Sequence, residues 1–301
     1  MDITQLNSDF GLAEQLVFIE GPNSFPFIKI NNNSATALIS LYGGQVLSYK
    51  PKTEAEDLLF LSQESAYTEG KAIRGGIPVC WPWFGPDPKG LNRPNHGFVR
   101  NHFWLVTQTE TISDNETTVR LVFKESIKKE RTWQKPFTLR LEITVGKALR
   151  LNLTTYNTGE KAFAITQAFH SYFQVGHIKH VQILGLEGCE YFDKLAQGAQ
   201  KFQTGKIRIT EEVDRIYMDA KNELNIADTA FNRRIQITSS STKSAVVWNP
   251  WIKTSKKMLD LDNTAYKNFV CVEMGNVAFD LIEIMPGEHY SLCANFNILP
   301  I

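Results

Sequence analysis

TLRLEITV, from Thr138 to Val145, alternates polar and apolar side chains, and LRLNLT, from Leu149 to Thr154, repeats the alternation after Gly146-Lys147. A period of two puts every second side chain on one face, the signature of a strand with its other face in water. Two such runs around a glycine-containing turn predict a β-hairpin. Outward from this hairpin the chain keeps the same habit. Leu16–Glu20, Phe27–Asn31, Ala35–Leu41 and Gln45–Lys50 are short β-branched or aromatic runs, divided by turn residues such as Gly21-Pro22-Asn23 and Gly43-Gly44. Thr118–Phe123, Phe137–Val145, Leu149–Asn157, Phe163–Phe173, Arg234–Thr238, Ala245–Asn249 and Phe269–Glu273 continue the series. Helical turns are expected only at Ser255–Leu259 and Thr264–Asn268. The expected fold class is all-β, a many-stranded sandwich with few short helices. With no repeat and no linker, residues 1–301 are expected to form one domain.

Composition narrows the functions open to such a sandwich. Thirty-two basic residues balance 32 acidic ones, so the chain lacks the basic excess that a nucleic-acid partner requires. No apolar stretch approaches the ~20 residues that span a bilayer, and no membrane partner is expected. Met1, Asp2, Ile3, Thr4 and Gln5 do not begin a basic-then-apolar leader. Cys80, Cys189, Cys271 and Cys293 show no C-x-x-C spacing. A reducing cytoplasm is the expected location. Neither nucleotide-binding glycine motifs nor a G-x-S-x-G elbow occurs, which disfavours nucleotide-dependent and serine-hydrolase chemistry.

Residues 74–100, RGGIPVCWPWFGPDPKGLNRPNHGFVR, interrupt the strands with a long loop dense in Gly, Pro and aromatic residues. Long ordered loops on a rigid scaffold commonly carry function. Arg74 and Arg100 stand beside glycines, an arrangement that suits an oxyanion; equally, each can pair with a carboxylate at the loop base. Trp81, Trp83 and Phe84 suit either a sugar face or a plug in the sandwich end, with the plug favoured. His170, inside QAFHSYF, is either a satisfied core histidine or a proton carrier. Glu273 is expected at the end of a buried run, VCVEMGN, facing a pocket or bonding turn amides. Asp214 in VDRIY is a weaker candidate of the same kind. The spacing of His170, His177 and His180 matches no zinc pattern, and no metal site is expected.

In order along the chain, RGGIPV with WFGP, NHGFVR with Trp104, FHSYF, DRIY, WNPW and VCVEMGN resemble the glucose-6-phosphate 1-epimerase (hexose-6-phosphate mutarotase) branch of the aldose 1-epimerase family. The resemblance runs from about Leu41 to the C-terminus. It implies a galactose-mutarotase-like β-supersandwich and an isomerase that interconverts the α and β anomers of a hexose 6-phosphate, without metal or organic cofactor. It also implies that His170 and Glu273 are catalytic, and that Arg74, Asn95, Arg100 and Asp214 bind substrate, the arginines meeting the phosphate. Asn95 stands where relatives often carry Gln, and Met274 where they often carry Pro. On this reading Glu273 takes the O1 proton while His170 protonates O5. A phosphate dianion and the nearby carboxylate are expected to favour the imidazolium. The expected partner is a small sugar phosphate, with a monomer as default. The alternative from another class is a non-catalytic carbohydrate- or sugar-phosphate-binding protein of the same fold. A glycosidase would need two carboxylates about 5–5.5 or 6.5–9.5 Å apart across one bond, a pair that Asp214 and Glu273 supply only if both point at the same bond.

Overall fold

Alternation along Phe137–Val145 and Leu149–Asn157 becomes the predicted antiparallel hairpin, with Leu141 opposite Leu153. Phe137, Leu139, Leu141 and Ile143 are buried on its inner face. The computed structural model describes residues 1–124 and 133–301. Among them, the hairpin sits inside an eight-stranded sheet ordered Val181–Leu184, Glu223–Asp228, Arg233–Thr238, His289–Pro300, Leu149–Asn157, Phe137–Val145, Glu116–Phe123 and Leu105–Ser113. The second large sheet orders Ala199–Phe202, Glu190–Asp193, Val213–Met218, Ser244–Asn249, Phe269–Asn276, Gln167–Phe169 and Val79–Cys80, with Tyr172–Gln174 also pairing to Phe269–Asn276. Leu16–Glu20, Pro26–Asn31, Ala35–Ser40 and Gln45–Pro51 form a separate four-stranded meander.

These three sheets contribute to one apolar core. Ile28 and Ile39 from the meander, Leu141, Leu153 and Leu292 from the hairpin sheet, and Val247, Val270 and Val272 from the second sheet belong to one contiguous cluster. The second sheet therefore turns one face inward. Along Phe269–Asn276 the even-numbered Val270, Val272 and Met274 enter this core. The odd-numbered Phe269, Cys271 and Glu273 emerge on the opposite face. That face is buried as well, so every residue of the strand is inaccessible.

Three expectations need correction. Phe163–Phe173 is not one strand but three: Phe163–Ile165, Gln167–Phe169 and Tyr172–Gln174. The backbone leaves the ladder because Thr166 and His170 donate instead to the carbonyls of Pro82 (3.1 Å) and Pro78 (3.0 Å). Phe269–Asn276 runs three residues further than expected, so Glu273 lies inside a strand. The Asn276 side chain bonds Gln167 and Ser241 rather than forming a turn. The helical turn expected from Ser255 spans Trp251–Ser255 instead, its start set by Pro250 and by Asn249 Oδ1, which accepts from Trp251 N at 2.9 Å. The turn expected at Thr264–Asn268 is present as Ala265–Lys267. An unexpected helix, Ile3–Phe10, is capped by Asp2 and lays Ile3, Leu6 and Phe10 on the core. No helix among the described residues is long and apolar enough to cross a membrane.

Leu153 is fully buried between Leu141 and Leu292 on the flanking strands. Leu153→Ala should cost about 2–5 kcal/mol in a urea unfolding series; a loss below ~1 kcal/mol would mean that the site collapses around the missing atoms.

Candidate active site

The centre of the site follows from strand register. Gln167 and Ala168 pair with Asn276 and Gly275. After the break, Tyr172 pairs with Cys271. The register is unchanged across the break, so His170 falls opposite Glu273, where an intact ladder would hold their Cβ atoms ~4.5–5.5 Å apart. Instead Ser171 N donates back to Phe169 O at 2.8 Å, a three-residue turn centred on His170. The interruption frees the His170 ring from a flat cross-strand position. His170 Nδ1 comes to 3.3 Å from Glu273 Oε1, with side-chain exposures of 10% and 1%. The contact lacks hydrogen-bond alignment, and both His170 Nδ1 and Glu273 Oε2 are buried without a hydrogen-bond partner.

Neighbouring rows of the sheet complete the floor. Ile216 and Val246 continue the row that holds Glu273, while Asp214, Trp248 and Cys271 form the adjacent row ending at Tyr172. His170 stacks on Tyr172 at 4.8 Å and 11°, and meets Trp248 edge-on at 6.0 Å. These rings fix the imidazole plane.

The long loop supplies the wall. Its RGGIPV portion lies beside the broken strand: Tyr172 N donates to Gly76 O, and Gly76 N donates to Phe60 O. Gly76 has φ +62°, and a Cβ there would lie 2.2 Å from Val46 O, so glycine is required. Further on, His96 N donates to Gly85 O at 2.7 Å, and His96 Nδ1 accepts from Gly85 N at 3.3 Å. The accepted bond leaves the proton on Nε2. The His96 ring meets His170 edge-on at 5.4 Å and Phe84 at 4.6 Å. Gly97 makes this approach possible, since a Cβ would sit 1.7 Å from Trp81 O. Trp81 and Trp83 are buried and act as the plug. Trp81 donates to Thr155, and Trp83 donates to Pro94 O under the Arg93 guanidinium.

The candidate substrate residues occupy different situations. Arg74 is already engaged: its Nε and Nη2 reach Asp260 Oδ2 at 3.1 and 2.9 Å, and Nη1 donates to Tyr172 Oη at 2.9 Å. Arg100 donates to Asn95 O at 2.9 Å, while its buried Nε has no hydrogen-bond partner among the described residues. No carboxylate among the described residues pairs with Arg100. Asn95 thus contributes its carbonyl to the arginine and exposes its side chain. Asp214 pairs with Lys194 at 3.0 Å. His177 and His180 face one another, 5.8 Å apart, at the turn Ile178–His180. The sequence reading missed His96, Tyr172, Trp248, Lys194 and Asp260. His96, Tyr172 and Trp248 carried a usable signal, through their places in NHGFVR, FHSYF and WNPW, whereas Lys194 and Asp260 lie outside those blocks.

Burial dominates the electrostatics. It pushes the Glu273 carboxyl well above the usual carboxylate range, reinforced by Asp214 and opposed by Lys194 and Arg100. It pushes His170 well below the usual imidazole value, with His96, Arg100 and Arg74 adding to the shift. His96 is lowered too, by burial first and then by Arg100, Lys194 and Arg74. The expectation of a favoured imidazolium is therefore corrected for the protein without substrate: desolvation and nearby cations outweigh the carboxylate. Once ionised, each partner is a stronger reagent than its free counterpart, Glu273 as base and His170 as acid.

Two opposed large sheets with this cleft on one of them are the architecture of galactose-mutarotase-like sandwiches. The crystal structure of a "putative mutarotase" from Salmonella typhimurium superposes with a TM-score of 0.90 at 30% identity, covering 97% of this chain and 96% of that one. A galactose mutarotase-like protein from Clostridium acetobutylicum, 16% identical, shares the fold with a TM-score of 0.73 over 96% of this chain and all of that one. Residues 26–296 match the family described as aldose 1-epimerase, and the chain belongs to that family. Proteins named "Putative glucose-6-phosphate 1-epimerase" are similar over most of the chain. The one from Cenchrus ciliaris is 36% identical over 263 residues, covering 84% of this chain and 78% of that one. The one from Escherichia coli strain K12 is 37% identical over 250 residues, covering 82% of this chain and 81% of that one.

A raised folded-state pKa gives Glu273 a definite stability signature. Its contribution is complete below the ordinary carboxylate value of about 4.3 and is lost as pH climbs through the folded value. Glu273→Gln should therefore raise the melting temperature at pH 8 and change it little at pH 4. An equal shift at both values would rule out buried ionisation as the cause.

Proposed function

We propose that this protein interconverts the α and β anomers of a hexose 6-phosphate, D-glucose 6-phosphate being the expected substrate, by acid–base opening and reclosure of the ring. The observation that carries the reading is the buried His170–Glu273 pair, opposite one another in register, with His170 Nδ1 and Glu273 Oε2 lacking a hydrogen-bond partner among the described residues. Opening a pyranose needs a base at the anomeric hydroxyl and an acid at the ring oxygen, on either side of one C–O bond. In the proposed mechanism the Glu273 carboxylate takes the O1 proton as the O5–C1 bond breaks, and His170 gives a proton to O5. The free aldehyde rotates about C1–C2. His170 then takes back the O5 proton, and Glu273 returns one to O1. No redox change occurs and no atom is lost, so the residues suffice without a cofactor.

Phosphate recognition falls to Arg100 in this reading, because its guanidinium has no carboxylate partner among the described residues. A phosphate dianion beside Arg100 also offsets one of the cations that hold His170 neutral, which ties the acid's readiness to substrate binding. Arg74 plays a different part. Held by Asp260, it fixes the Tyr172 hydroxyl and so the ring on which His170 stacks. Asp214 and Lys194 set the charge beside Glu273 and lie where sugar hydroxyls would bond. All these groups come from one chain, so a monomer is the working unit. Residues 1–301 act as one domain around the core that runs from Leu16 to Phe296.

Anomer exchange of glucose 6-phosphate followed by NMR tests the reading. Glu273→Gln and His170→Ala should each reduce kcat by about 10²–10⁴-fold. If the wild type binds the sugar phosphate without accelerating exchange, the protein is a binder and the assignment of the pair fails. The acid limb of kcat/KM should lie above the ordinary carboxylate range and vanish in Glu273→Gln. Arg100→Ala should raise KM for glucose 6-phosphate at least about tenfold, the loss of one charge-assisted contact, while leaving glucose nearly unaffected. Arg74→Ala should instead lower kcat for both sugars.

A further inference from the structure

Cys271 takes no part in the proposed mechanism, yet it lies beside the pair. It precedes Glu273 by two residues on Phe269–Asn276, so both side chains leave the same face. Its cross-strand neighbour is Tyr172, on which His170 stacks. One donor atom each from His170, Cys271 and Glu273 falls within 4.8 Å of the others. Two features make this more than proximity. Among the described residues, His170 Nδ1 and Glu273 Oε2 are both buried without a hydrogen-bond partner, which leaves a potential ligand atom unused on each. The donors are also chemically matched: thiolate, imidazole and carboxylate are the ligand types zinc takes at ~2.0–2.3 Å. Tetrahedral donors at those bond lengths stand roughly 3.5 Å apart, so rotamer adjustments of about an ångström close the set.

We propose that Cys271, His170 and Glu273 form a site for a thiophilic divalent cation, zinc or cadmium, and that its occupancy blocks the sugar reaction. Binding exchanges the Cys271 S–H bond, and any proton on Glu273, for metal–ligand bonds, and releases those protons to solvent. His170 contributes the Nδ1 lone pair of the neutral ring. Three protein ligands leave a fourth position open toward the cleft. A metal held there engages the atoms that the proposed acid–base chemistry needs free, so it acts as an inhibitor rather than a cofactor. The His170 side chain retains 10% exposure, which gives an ion a way in. Cys271 confers the metal's softness preference: magnesium and calcium, which favour oxygen donors, do not compete. The binding half of the inference stands on geometry, whereas the blocking half rests on the reading of His170 and Glu273 as acid and base.

Cadmium titration of the full-length chain separates the two halves, because the thiolate-to-cadmium charge-transfer absorbance reports binding without reference to activity. The wild type should show a band that saturates near one ion per chain and is displaced by glucose 6-phosphate. Cys80→Ala should keep the band, and Cys271→Ala should lose it. Zinc should inhibit anomer exchange in the wild type, with the inhibition constant raised at least about tenfold in Cys271→Ala, the lower end of what removing even an outer partner of a metal costs. Cys271→Ser serves where the alanine variant fails to fold. Absence of the band in the wild type, or its survival in both Cys271 variants, overturns the site. A Cys271-dependent band with anomer exchange untouched by zinc overturns the blocking role instead.

Discussion

The site depends on one backbone event: the ladder between Gln167–Phe169 and Phe269–Asn276 stops and resumes in the same register at Tyr172–Gln174. Because the register is kept, His170 remains opposite Glu273. Because the hydrogen bonds are given up there, the imidazole can tilt toward the carboxylate rather than lie beside it. The freed amide of His170 is not orphaned, since the Pro78 carbonyl in the long loop receives it. Loop and strand thus hold each other, and the glycines of RGGIPV are required for the loop to come that close. Without the break, the two side chains would be an ordinary cross-strand pair on a covered sheet.

A second constraint is solvation. Burying a carboxyl and an imidazole together is costly, and the shifts show which effect wins. Desolvation leads for both groups, ahead of every charge in the cleft. The result is a buried pair whose charged forms are both disfavoured, a condition that structure alone does not reward. Raised basicity at Glu273 and raised acidity at His170 suit the proposed proton transfers, and the proposed cation site with Cys271 draws on the same two side chains.

The two loop arginines divide along the same lines. Arg74 and Arg100 look alike in sequence, each beside glycine in one loop. In the fold, Arg74 is bonded to Asp260 and Tyr172, which makes it a support for the ring beneath His170, while Arg100 keeps an unpaired Nε near the cleft. The carboxylate partner that the bland reading expects is found for Arg74, and none is found for Arg100 among the described residues. The difference comes from Asp260, which lies 186 positions away along the chain.

By itself the sequence determined the all-β class, most strand positions, the hairpin and the membership of the long loop in the site. Those features are local: period-two burial, turn residues and motif order can be read within a few residues. Asp2 followed by Ile3, Leu6 and Phe10 was equally legible, and the capped helix they form was overlooked. Tertiary structure alone decided that Phe163–Phe173 breaks at His170, that Glu273 sits mid-strand, and that His96, Tyr172, Trp248, Lys194 and Asp260 converge on the same face. Each of these depends on which distant carbonyl or carboxylate arrives to take a hydrogen bond. Register and burial are properties of strand pairs, and a pair separated by a hundred residues leaves no trace in the period of either strand.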